Sequence, residues 1–167
     1  MEKYTNEELE TLTEKWGHDR KITINGKIST QTIKFGEEMG ELFEADTLGK
    51  VEDAIGDMIV VSSMIANLNK TSISKCMEIP FEKSILDSYK LHDTDLLNVV
   101  FGRLCSAVVR DKNKNLNPII RDFMMILDRI AMKQGTSFNK CWNLAYNEIK
   151  DRTGTLLENG NFVKDEN

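Results

Sequence analysis

Residues 35–68 read FGEEMGELFEADTLGKVEDAIGDMIVVSSMIANL, and this stretch decides the fold class. Phe35, Met39, Leu42 and Phe43 fall at i, i+4, i+7 and i+8, the apolar stripe of an amphipathic helix. Ser29 or Thr30 can cap that helix, and it runs to about Asp46. The connection Thr47-Leu48-Gly49-Lys50 is short enough to force an antiparallel hairpin of helices. In the next helix, about Val51 to Leu68, the residues Ile55, Met58, Ile59, Val60, Val61, Met64, Ile65 and Leu68 cover most of the circumference. A helix apolar nearly all round is a buried one.

The pattern continues in both directions. Asn6 can cap a first helix to about Trp16, with Glu7 and Glu8 in its opening turn. Asn25-Gly26 lies between short alternating runs and predicts a turn with a small hairpin. Beyond Leu68 the signal weakens to a connector, broken at Pro80, with one short helix. Helices follow over residues 95–110, over 119–134 with Pro118 in its first turn, and from a Ser137 cap to about Asp151. Gly154 and Asn159-Gly160 mark a turn-rich tail over residues 153–167, with room for a short C-terminal hairpin. The expected architecture is an all-α helical bundle in one domain, residues 1–167.

Composition supports this and narrows the functional classes. Proline occurs twice in 167 residues, against about 8 at average usage, so helix breakers are scarce. Cys76, Cys105 and Cys141 are odd in number and lack CxxC spacing, which argues against a zinc site or a disulfide framework. Two histidines, His18 and His92, are too few for a histidine cage. No apolar run approaches a bilayer's thickness, and the first residues have neither signal nor transit character, so a cytoplasmic location without membrane contact is expected. The net charge of −5 argues against a nucleic-acid partner. Its distribution is uneven. Residues 35–57 hold eight acids and one base, whereas residues 98–152 hold ten bases and five acids. An acidic site for cations facing a basic region for anions would give this pattern, and so would solvated helix faces of opposite sign.

The acids have a geometry. Glu38 and Glu41 are spaced i,i+3, and Glu37 and Glu41 i,i+4, so they share a helix face; Asp53 and Asp57 are i,i+4 on the next helix. Glu41 lies roughly 7 Å before the hairpin loop and Asp53 roughly 4 Å after it, which puts the two at nearly one height. Glu38 and Asp57 are each one turn further from the loop. Four facing carboxylates repel unless cations hold them, and hard divalent ions suit oxygen ligands. Asp57 stands directly before an apolar run, where an unpartnered charge is costly; a buried salt bridge to a later arginine is the competing reading. Glu44, Asp46 and Glu52 read as a solvated face. A di-iron centre would need Glu-x-x-His pairs, and none occurs, which leaves Mg2+ or Mn2+.

Gln31-x-x-Lys34-x-x-Glu37-Glu38-Met39-Gly40-Glu41-Leu42, followed by Asp53-Ala54-Ile55-Gly56-Asp57, resembles the MazG-like family of all-α nucleoside triphosphate pyrophosphohydrolases. Trp16-Gly17-His18-Asp19-Arg20 looks like the family's entry segment. Residues 146–152, YNEIKDR, with Gly160-Asn161-Phe162-Val163-Lys164, look like the ending of phage-encoded members. Residues 70–118 look like an insertion. The resemblance implies a homodimer or homotetramer that cleaves nucleoside triphosphates to a monophosphate and pyrophosphate. It implies Glu38, Glu41 and Asp57 as Mg2+ ligands. The fourth ligand position is Ala54 here, and Asp53 is the nearest replacement. Glu37 is the candidate base or supporting carboxylate, with Gln31, Lys34, Asn147, Lys150 and Arg152 as substrate contacts. Trp16, Trp142 and Tyr146 read as base-stacking or core residues. The competing functions are a dUTPase- or dCTPase-type nucleotidase of the same superfamily and a non-catalytic helical module that has lost a ligand.

Overall fold

A computed structural model describes residues 3–79, 92–110 and 115–165. The expected Pro80 break and part of the polar turn before Pro118 lie outside these residues. Among the described residues the chain is all-α, apart from one short hairpin. The helices are α1 (Asn6–Asp19), α2 (Ile22–Asn25), α3 (Ile28–Glu44), α4 (Leu48–Leu68), α5 (Ile73–Met77), α6 (Asp93–Arg110), α7 (Asn117–Lys133) and α8 (Phe138–Ile149). Strands β1 (Gly154–Leu156) and β2 (Phe162–Lys164) pair antiparallel, Thr155 opposite Val163.

Helix α4 is the axis of the bundle, touching α1, α2, α3, α5, α7 and α8. Its buried residues run around the whole circumference from Val51 to Ala66, as its composition demands. Phe35 of α3 is fully buried and packs on Phe123 of α7 at 4.3 Å between ring centroids. Gly56 lets α8 lie directly on α4: a Cβ there would stand 2.5 Å from the Cys141 carbonyl oxygen.

Several local expectations are corrected. Thr5, not Asn6, caps α1, in a reciprocal box with Glu8: the Glu8 amide donates to Thr5 Oγ1 at 3.2 Å and the Thr5 amide to Glu8 Oε2 at 2.7 Å. Ile22–Asn25 forms one helical turn instead of a hairpin, entered through Lys21 at φ 61°. Neither Ser29 nor Thr30 caps α3, which begins at Ile28. The Thr30 hydroxyl donates instead to the Asn159 carbonyl at 2.6 Å, tying the terminal hairpin to the start of α3. Phe43, counted in the apolar stripe, is exposed.

Glu52 is the largest departure. Its place in an acidic run predicts a solvated side chain, yet it is buried and accepts from Thr136 Oγ1 at 2.6 Å and from Lys140 Nζ at 2.7 Å. Burial alone would raise its carboxyl; the Lys140 and Thr136 bonds outweigh that and leave it below the usual carboxylate range. Lys140→Met strands this carboxylate. Because Lys140 is half-exposed and Thr136 remains, the expected loss is about 1–2 kcal/mol in urea unfolding.

Candidate active site

The hairpin of α3 and α4 brings Glu38 and Asp57 together, as their heights require. Both are half-buried and both line a cavity of about 100 Å3. Gln31 and Lys34 of α3 join Glu38 in the lining, and Val60, Val61 and Met64 of α4 join Asp57. Trp16, Ile22, Ile149, Arg152 and Phe162 complete it.

Two carboxyls in this setting resist ionisation. Burial, then the charges of Asp57 and Glu41, raise Glu38 to about 7 despite Lys34. Burial, then Asp53 and Glu148, raise Asp57 to about 7 despite Arg152. Asp53 is raised too, by burial and by Glu148. The Asp57 question therefore resolves toward repulsion: Arg152 tempers it, but pairs with Glu148 at 2.5 Å.

Both shifted groups hold a proton more tightly in the folded chain than in the unfolded one. Stability thus falls as pH rises from about 4 through about 7. The midpoint of thermal unfolding without divalent cations is expected to drop by roughly 3 °C or more between about pH 5 and pH 8, allowing for solvent screening. Asp57→Asn flattens that slope; a midpoint rising across the window would remove the repulsion from the site.

The remaining expected residues distribute unevenly. Glu41 and Asp53 are exposed at the flanks, near enough to act on Glu38 and Asp57 electrostatically. Glu37 is exposed, does not line the cavity and faces Lys34 at 3.9 Å. Of the three C-terminal candidates, Arg152 alone lines the cavity. Asn147 donates to the Asn143 carbonyl at 2.8 Å and lines a separate open depression with Asp53 and Glu148. Lys150 is half-buried at the exit of α8. Ala54 is packed in the core, leaving its position without an oxygen donor. Trp16, Trp142 and Tyr146 are all buried. Burial pushes the Cys141 thiol up to about 11, which rules it out as a nucleophile at neutral pH.

The WGHDR segment and the YNEIKDR segment meet. Trp16 Nε1 donates to the Ile149 carbonyl at 2.7 Å. The Arg20 guanidinium donates to the Arg152 carbonyl at 2.7 Å through Nε and to the Lys150 carbonyl at 3.3 Å, and it lies 4.8 Å over the Trp16 ring. These bonds tie the end of α8 and the residues that follow it to the end of α1, and they fix the chain that carries Arg152. Glu148, also not singled out, adds a third acidic direction to Asp57. Its i,i+4 spacing from Arg152 was the available signal.

The donor chemistry fits a hard divalent cation: every candidate ligand is a carboxylate oxygen, and the buried repulsion between Glu38 and Asp57 is of the kind that positive charge relieves. The side chains are not drawn into one ligand set. Among the described residues no three His, Cys, Asp or Glu side chains converge closely enough to hold a metal ion. No protein-family model, no curated protein and no solved structure matches the chain.

Proposed function

We propose that this protein hydrolyses nucleoside triphosphates to a nucleoside monophosphate and pyrophosphate, with Mg2+ or Mn2+, as an all-α pyrophosphohydrolase of the MazG-like type. One observation carries the reading: Glu38 and Asp57, on facing helices, share a cavity that Lys34 and Arg152 also line. Paired carboxylates beside two cations are what a polyphosphate with its counter-ions needs; a structural core needs neither.

Glu38 and Asp57, with Glu41 and Asp53 turning in from the flanks, would hold the cation. When bound, it neutralises the triphosphate and stabilises charge developing at phosphorus. The chain's own residues do the rest. Lys34 and Arg152 bind phosphate oxygens, with the Arg152 backbone held by Arg20. The apolar wall of Val60, Val61 and Met64 excludes water and strengthens those interactions. Glu38 and Asp57, ionised while they hold the cation, are not the base; the cation would itself make the attacking water more acidic. Glu37, facing Lys34 outside the cavity, is assigned no step.

The test is a panel of the eight common ribo- and deoxyribonucleoside triphosphates with magnesium, products separated by chromatography. Monophosphate and pyrophosphate in equal amounts are expected. Diphosphate and orthophosphate, or no turnover of any nucleotide, would remove the reading. In the latter case calorimetry with a non-hydrolysable triphosphate separates a binding module from a protein without nucleotide affinity.

A further inference from the structure

The cavity as it stands cannot enclose a nucleoside triphosphate. It holds about 100 Å3. Pockets that bury a drug-sized ligand run to about 300–1,000 Å3, and a nucleoside triphosphate is no smaller. Some part of the lining has to move. The helical walls are poor candidates, because Ile22, Val60, Val61, Met64 and Ile149 are buried members of the core and a close-packed core yields little. Phe162 differs from them. It stands on β2, is half-buried, and meets Trp16 edge-on at 5.9 Å between ring centroids.

The hairpin that carries Phe162 is lightly held. Its strands are three residues each, and a two-stranded hairpin is marginally stable by itself. Among the described residues, one hydrogen bond joins residues 153–165 to the helices: the exposed bond from Thr30 Oγ1 to the Asn159 carbonyl. The turn at Gly160 rests on Lys27. Leu157 and Val163 face outward. The firmly held chain ends just before the hairpin, at Arg152, whose carbonyl accepts from Arg20 Nε at 2.7 Å. The hairpin can therefore leave without displacing Glu38, Asp57, Lys34 or the Arg152 backbone.

We propose that the C-terminal hairpin, residues 153–165, is a flap hinged after Arg152 that withdraws Phe162 from the cavity to admit a ligand. The identity of that ligand rests on the nucleotide reading of the same site; the motion of the flap does not. With Phe162 withdrawn, the space it fills joins the cavity, and the Trp16 face beneath it opens to solvent. The closed form predominates in the free protein, so the apparent affinity for a ligand is reduced by the open fraction. Loosening the flap therefore tightens binding, and locking it shut abolishes binding.

Two variants of the full chain push the flap in opposite directions. Thr30→Val removes the hydrogen bond that clasps it and keeps the side chain's shape. Lys27→Cys with Gly160→Cys, in a Cys105→Ser background, locks it on mild oxidation. A Cβ at position 160 would lie 3.3 Å from the Lys27 Cβ, close to the disulfide span of about 3.5–4.5 Å. The oxidised form is compared with its own reduced form, so backbone strain at Gly160, φ 85°, is common to both. Acrylamide quenching reads Trp16, 8% exposed beneath Phe162, with Trp142 at 2% as the internal reference. Calorimetry with magnesium and non-hydrolysable analogues of ATP and UTP reads access. Thr30→Val should raise quenching and nucleotide affinity at least twofold each. Oxidation of the cysteine pair should at least halve quenching and weaken binding at least tenfold, both reversed by reduction. Quenching that neither variant moves, or nucleotide affinity that the lock leaves unchanged, would overturn the inference. If the cysteine pair does not fold, Thr30→Val decides: unchanged quenching or weaker binding overturns it. If quenching follows the flap in both variants but no form binds nucleotide, the flap stands and the nucleotide reading falls.

Discussion

Glu38→Gln and Asp57→Asn are each expected to lower pyrophosphate release by at least about 100-fold, or about 2.7 kcal/mol of transition-state stabilisation. The same substitutions should leave the protein without divalent cations as stable as the parent, or more so. The opposite signs have one cause. In the folded chain each carboxyl is half-buried against like charge, which raises both to about 7. A neutral amide of the same shape removes that cost. It also removes the charge that would hold a cation against a triphosphate. Gains in stability coupled to loss of activity are the signature of a strained functional site. Glu44→Gln is the control: Glu44 is exposed at the end of α3, outside the cavity lining, and should change neither quantity. Assays of pyrophosphate release beside thermal unfolding check both halves. Full activity in either variant would sink the mechanism, whereas unfolded variants would show that the pair holds the bundle together.

Gly56→Val carries the largest expected effect on the fold itself. A Cβ at position 56 would lie 2.5 Å from the Cys141 carbonyl oxygen and 2.8 Å from the Ala145 Cβ. Neither is the free end of a flexible side chain, so α8 must move as a body. Overpacking of even one methylene costs typically about 1–3 kcal/mol. Gly56→Ala is therefore expected at about 3 kcal/mol, and Gly56→Val beyond it. The displacement also has a functional consequence, since α8 delivers Arg152 to the cavity and Asp57 adjoins Gly56. Gly56→Ala should thus weaken substrate affinity as well as stability. Gly49, with no atom within 4 Å of an added Cβ, is the matched control: Gly49→Ala should be harmless. Urea unfolding of the two alanine variants reads the difference.

The hairpin of α3 and α4 was legible because two independent patterns agreed. The apolar period fixed which faces turn inward, and a short connection, which the structure places at Ala45–Thr47 in place of the expected Thr47–Lys50, fixed the heights of the acids. Together these placed Glu38 opposite Asp57 without a coordinate. The misreadings share a different character. Glu52 sits in an acidic run and looks solvated, but its partners Thr136 and Lys140 are more than eighty residues away and only the packing of α8 reveals them. Ser29 and Thr30 have capping chemistry, yet Thr30 is recruited by the hairpin at Asn159. Asn25-Gly26 has hairpin chemistry, but Ile22 buries instead and holds one helical turn. In each case a long-range contact overrode a local preference. The meeting of Trp16 and Arg20 with the end of α8 belongs to the same class: both segments stood out in the sequence, and nothing local said that they touch.

Glu38 and Asp57 are expected to capture a divalent cation together. Titration of the protein with Mn2+, followed by electron paramagnetic resonance of the free ion, measures it directly. The parent should remove Mn2+ from solution with an affinity that rises with pH through about 7, as the two carboxyls ionise. Asp57→Asn should remove at least tenfold less at equal concentration. Equal Mn2+ uptake by parent and variant, or none by the parent at pH 8 even with a non-hydrolysable triphosphate present, would show that the facing acids do not form a metal site.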